Sequence, residues 1–169
     1  MTHDAFGLGL HDLNNAGVYA IGDGDESALA AAMRDAGLPV RWLPGGETFL
    51  WTSEGDFARG FGPQLRVSRV DLDGVRDKRT LLARLAAQLD FPPGFGGNWD
   101  ALSDNLRDLQ WLPAAAGHAL FFDHVDALRS QPGKDFDTLL QILDEASQYW
   151  AGQDVPMWAF LSTHESPLA

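Results

Sequence analysis

The sequence predicts an α/β fold: a small parallel sheet packed by helices and extended at one edge by N-terminal strands. Three observations lead there. Segments of strand character and segments of helical spacing alternate along most of the chain, the order expected when helices cross over between parallel strands. Ala119-Leu120-Phe121-Phe122 is a short, continuous apolar run, the composition of a strand covered on both faces. Clusters such as Gly22-Asp23-Gly24, Gly45-Gly46 and Asp73-Gly74 punctuate the runs between them.

Taken in order, residues 1–16 are polar and read as a loose start. Gly17-Val18-Tyr19-Ala20-Ile21 is a short strand. Ser27 can cap a helix running through Met33, with Gly37 as terminator and Pro39 just beyond. Pro39 to Leu43 reads as a second strand and Thr48 to Thr52 as a third, with Gly45-Gly46 turning between them as a hairpin. Ser53 to Gly62 is glycine-rich and irregular, with one helical turn expected near Phe57-Ala58.

Gln64 to Leu72 alternates and stops at Asp73-Gly74, a strand and turn. Asp77 caps a helix in which Leu81, Leu82, Leu85, Ala86 and Leu89 recur at helical spacing. Pro113 to Gly117 break the chain before the apolar strand. Asp123 or His124 starts a short helix to Arg129, ended by Gln131-Pro132-Gly133. A long helix spans Lys134 to Ala151, with Phe136, Leu139, Leu140, Leu143, Ala146, Tyr149 and Trp150 on its inner side and Gly152 stopping it. Val155 to Leu161 is the last strand, with Pro156 near its start, where proline is tolerated. The tail after Ser162 is expected to fray.

One stretch stands apart from this scaffold. Phe91 to Gly97 holds a Pro-Pro pair and three glycines, which rules out regular helix or central strand. Asn98, among the best N-caps, then opens a helix, and Asp100 sits in its first turn, where a carboxylate favours the positive end of the helix dipole. At about 100° per residue, Trp99, Leu102, Leu106 and Leu109 form an apolar stripe. Asp100, Asp104 and Asp108 recur at i, i+4 and i+8 on a different face, where like charges repel by a few tenths of a kcal/mol per pair. A carboxylate row is ordinarily a solvated face, and stability alone would prefer a lysine among these acids.

The run Phe91-Pro92-Pro93-Gly94-Phe95-Gly96-Gly97-Asn98-Trp99-Asp100-Ala101-Leu102-Ser103-Asp104 resembles the signature of the barstar family, small intracellular inhibitors of secreted ribonucleases. Gly117 to Asp123 resembles the family's second strand, Leu140 to Ala146 its last helix and Phe160-Leu161-Ser162 its closing strand. The resemblance covers roughly residues 66–162. It implies a barstar-like domain over 66–169; by their own strand and helix pattern, residues 1–65 are expected as an N-terminal extension of strand, helix and strands packed on the same sheet. It also implies that the chain plugs a ribonuclease active site, with Asp100, Asp104 and Glu145 as interface acids. Gly94, Phe95, Gly96, Asn98, Ser103 and Arg107 belong to the same motif region and are expected to bind the partner. The family's type member has aromatic residues where this chain has Gly94 and Ser103. Trp111, just past the acidic helix, is the expected substitute for the second.

Composition bounds the alternatives. The 169 residues carry 24 acids and 12 bases, a net charge of −12. The excess is shared equally by residues 1–65 and 66–169. A basic nucleic-acid footprint is absent, so DNA or RNA is not the expected partner, and the acidic charge would attract a basic protein; the resemblance implies that this partner is an extracellular-type ribonuclease or toxin. There is no cysteine, which excludes disulfides and thiolate chemistry. No signal segment and no apolar run of about 18 residues appears, so a cytoplasmic protein without a membrane span, monomeric when free, is expected.

No cofactor is expected. The five histidines form no HExxH-like spacing, and no DxDxDG calcium loop, nucleotide loop or GxSxG motif is present. The glycines ahead of Asn98 could hold an anion at a helix N-terminus, but the aspartates behind them oppose a phosphate. Asp71-Leu72-Asp73-Gly74-Val75 resembles the first motif of haloacid-dehalogenase phosphatases, in which the first Asp is nucleophile and the second acid/base. Arg76 replaces the apolar residue of that motif, and the bland reading of Asp71 and Asp73, a strand end and turn, is preferred. A third reading is an immunity or interaction module for a partner that is not a ribonuclease. The chain is read as a non-enzyme.

Overall fold

The computed structural model describes residues 17–21, 27–40, 42–43, 65–109 and 117–163. Their elements are β1 (Gly17–Ile21), α1 (Ser27–Asp35), β2 (Trp42–Leu43), β3 (Leu65–Asp71), α2 (Lys78–Gln88), α3 (Trp99–Leu106), β4 (Gly117–Asp123), α4 (Asp126–Arg129), α5 (Asp135–Gly152) and β5 (Met157–Leu161). The strands form one sheet in the order β2-β1-β5-β4-β3, and every pairing is parallel. The α/β class and the N-terminal extension of one sheet edge are therefore both realised. β1 joins the side of β5 away from β4, with Tyr19 opposite Phe160.

Residue types explain the sheet's two faces. Successive side chains on a strand point to opposite faces. Leu120 and Phe122, with Val18, Ala20, Met157, Ala159 and Leu161, join the leucines of α2, α3 and α5 in the main core. Tyr19, Phe160 and Phe121 stand in register on the other face of β1, β5 and β4. Phe121 and Phe160 stack with ring centroids 4.8 Å apart, and Tyr19 meets Phe160 at 5.7 Å. β4 is buried at all seven positions, as its continuous apolar run predicts.

Local expectations change at four places. α3 ends at Leu106, and Asp108 lies beyond it in a turn, so the helical row of acids is two long and not three. The cause is Leu109, which is buried and reaches the core by adopting φ 52°. The N–H groups of Asp108 and Leu109 both donate to the Asn105 carbonyl there. The short helix begins at Asp126, because Asp123 completes β4 and His124 turns the chain at φ 56°. Gly152 is the last residue of α5 and not its stop, and Asp154 takes the left-handed conformation that follows. Tyr149 points outward, 42% exposed, while its neighbour Trp150 is partly buried against the core. The hairpin strand at 48–52, the start at 1–16, the turn near Phe57-Ala58 and Trp111 lie outside the described residues.

Candidate functional site

The loop and helix from Phe91 to Arg107 are built from local rules. Phe91 and Phe95 meet edge-on at 5.0 Å and pack on the core, pinning the loop at two points. Between and after them Gly94 and Gly97 take φ 94° and 67°, values that require glycine. At Gly96 the demand is space: a Cβ there would come within 3.3 Å of the Asn98 amide nitrogen. Asn98 then caps α3, its side-chain oxygen accepting the Ala101 N–H at 2.7 Å. Loss of such a cap costs about 1 kcal/mol.

α3 has a strict division of faces. Leu102 and Leu106 are fully buried, each worth roughly 1.5–3 kcal/mol of transfer free energy. Trp99 packs against the core, with the Lys78 ammonium 5.5 Å from its ring centroid. Asp100 and Asp104 are exposed, and Ser103 is half-buried. Asp104 carries a 76% exposed side chain, and its Oδ1 accepts from Arg107 Nη2 at 3.2 Å. Arg107 Nε also donates to the Ser103 carbonyl at the helix end. Arg107 thus partly neutralises the acid it flanks.

A second helix fixes the first. The Trp150 indole N–H of α5 donates to the Leu106 carbonyl at 2.8 Å, taking up one of the free acceptors at the C-terminus of α3. Glu145 is exposed on the same helix, and α5 packs directly on α3.

Residues 65–162, more than half of the chain, match the family model of barstar, the barnase inhibitor. The chain belongs to the barstar family. No individual curated protein gives a significant match. Proteins of the barstar family are inhibitors rather than enzymes, and the match spans β3 to β5 with the α3 helix at its centre.

Within this barstar-family domain, the residues expected at the partner site fall into three groups. Gly94, Phe95, Gly96, Asn98, Asp100, Ser103, Asp104 and Arg107 lie on one loop-and-helix segment, with Phe95 turned to the core and Ser103 half-buried. Glu145 comes from the exposed side of α5, the helix that packs on α3. Trp111 lies outside the described residues. The sequence reading missed Trp150 as the link to α3 and Tyr149 as an outward residue. A hint for Tyr149 was present, since it follows Glu145 by four residues, about 40° around a helix.

The Asp71-Asp73 pair serves the strand end. Asp71 Oδ1 accepts the Asp73 N–H at 3.0 Å and lies 2.9 Å from His124 Nδ1. Gly74 takes φ 74° to complete the turn. The His124 hydrogen bond, followed by that from the Asp73 backbone, holds the Asp71 carboxyl below its usual range. The same Asp71 bond raises His124 against a smaller effect of burial. Beside this turn Arg69 Nε reaches the buried Asp123 carboxylate at 2.6 Å, tying β3 to β4. Among the described residues no group of His, Asp and Glu has metal-ligand geometry, and no helix is long and apolar enough to cross a membrane.

Proposed function

We propose that this chain inhibits a basic ribonuclease, or a ribonuclease-type toxin, by seating the loop Gly94–Gly97 and the outward face of α3 in its active site. The observation that carries the reading is the exposure of Asp100 and Asp104 on a helix whose other face is wholly committed to the core. A ribonuclease site arranges cations for phosphates, and carboxylates can occupy those positions through charge-assisted hydrogen bonds. Asp104 is the central acid, Asp100 and Glu145 flank it, and Asn98 holds the helix start in place. Ser103 and Trp111 complete the contact, Phe95 anchors the loop that reaches it, Arg107 lies beside Asp104 at its edge, and Gly94 and Gly96 let the backbone approach closely. The net charge of −12 steers a cationic enzyme toward this face. The free inhibitor is a cytoplasmic monomer, with residues 1–65 an extension of the domain formed by 66–169.

The test is inhibition of RNA cleavage by barnase and by other small basic secreted ribonucleases. Stoichiometric loss of cleavage, with a 1:1 complex on size exclusion, is expected for at least one of them. No inhibition of any at micromolar inhibitor would remove the reading.

A further inference from the structure

Resting on the inhibitor reading, we propose that Tyr149 is the aromatic anchor of the contact, on α5 rather than in the glycine loop. The partner group it fits is an arginine beside the cationic site. Among the described residues Tyr149 is the one large apolar side chain left exposed, at 42%. A single exposed ring is ordinary by itself, but tyrosine is enriched among the residues that carry interface energy, and this one lies one helical turn from the exposed Glu145.

Its position follows from two contacts. The Tyr149 ring meets Trp150 edge-on, with centroids 5.6 Å apart. Trp150 in turn holds the last carbonyl of α3 at 2.8 Å. Tyr149 is therefore one ring away from the end of the acidic helix. Along α5 it stacks one turn after exposed Glu145. The ring and the carboxylate together match arginine: the carboxylate takes the guanidinium edge, and the ring takes its face. This places the aromatic contact on the α5 side of the site. The loop itself carries Gly94, which is exposed, and Phe95, whose ring is turned to Phe91 and the core.

The experiment compares wild type, Tyr149→Ala, Tyr149→Phe and Asp104→Ala for inhibition of barnase and the other basic ribonucleases named above. Melting temperature and sedimentation are measured on each variant. Tyr149→Ala should weaken inhibition at least about tenfold, while Tyr149→Phe stays within about threefold, because the ring face is retained. Hydroxyl-radical footprinting of the unmutated complex supplies a reading free of folding effects, and Tyr149 should be protected on binding. Tyr149→Ala within threefold of wild type, or an unprotected ring, overturns the proposal. If Asp104→Ala still loses affinity in that case, the inhibitor reading stands. Failure of the wild type to inhibit overturns both. A change confined to self-association would assign the ring to a second copy and overturn the proposal as well.

Discussion

Replacing Asp104 by alanine should separate folding from binding. In the free protein the side chain is 76% exposed and, among the described residues, bonded only to Arg107, itself 43% exposed. An exposed i,i+3 pair is worth about 0.3–0.5 kcal/mol, and the like-charged Asp100 one turn back offsets a similar amount. The two nearly cancel, so stability should change by less than about 0.5 kcal/mol. For a chain of this size that moves Tm by about 2 °C or less. In the proposed complex the same carboxylate is desolvated against cations of the ribonuclease. Removing one member of such a pair costs about 2–5 kcal/mol, or roughly thirtyfold to a few thousandfold in Kd. That range comes from charge-pair truncations at protein interfaces, the barnase–barstar pair included, and is borrowed for this chain. Calorimetric melting and titration against the inhibited ribonuclease measure both terms on one preparation. Affinity retained within about threefold, or a Tm lowered by 10 °C, would refute the reasoning. The first outcome makes the acids a solvated face and the second makes them structural.

Three further outcomes follow from the same geometry. Arg107→Ala removes the positive charge beside Asp104 and should speed association with the ribonuclease a few-fold at about 20 mM salt, with the gain vanishing near 500 mM; a gain independent of salt would contradict steering. Trp150→Phe removes the hydrogen bond to the Leu106 carbonyl and should cost about 1–2 kcal/mol in urea unfolding, with faster amide exchange at the end of α3; unchanged exchange there would show that the indole does not hold the helix. The Asp71–His124 pair should make stability pH-dependent. Asp71 is lowered from 3.8, so its contribution is present above that value and is lost as pH falls through the folded pKa. His124 is raised from 6.5, so its contribution is complete below that value and is lost as pH rises through the folded pKa. The pair therefore acts fully between about pH 4 and 6.5. With side chains 52% and 34% exposed it is worth at most about 1 kcal/mol. His124→Asn keeps a residue tolerant of the left-handed turn, and its deficit against wild type should shrink between pH 5.5 and 8.5; a constant deficit would place the effect elsewhere.

Much of this was legible because it is local. Asp77 and Asn98 are capping residues by type, and both side chains accept the expected N–H. The apolar run of β4 announced a strand covered on both faces, and all seven positions are buried. That Asp100 and Asp104 share an exposed face of α3 followed from four-residue spacing, and the resemblance to barstar supplied the role proposed for them. What escaped depends on residues far apart in sequence. Leucine disfavours positive φ, so nothing local signals that Leu109 will turn the chain and release Asp108 from the helix. Trp150 finds Leu106 across 44 residues, and His124 finds Asp71 across 53. Tyr149 sits at the edge of an apolar stripe, where spacing alone leaves open whether the neighbouring element covers it.

The role proposed for the acids of α3 poses an apparent contradiction, since a face that attracts cations should repel itself when free. The structure resolves it by degree. Ending the helix at Leu106 takes Asp108 out of the row, leaving Asp100 and Asp104 as its like-charged pair. Arg107 supplies a counter-charge to Asp104 through a single exposed contact at 3.2 Å, which solvent screens and side-chain entropy weakens. A partner arginine that binds both carboxylate oxygens in a desolvated site makes a stronger, charge-assisted contact. It can therefore displace Arg107 with little loss. Arg107 also donates from Nε to the Ser103 carbonyl, a bond that does not depend on its contact with Asp104. Self-repulsion is then relieved by an interaction too weak to compete with binding, and the core leucines that define α3 take no part in the exchange.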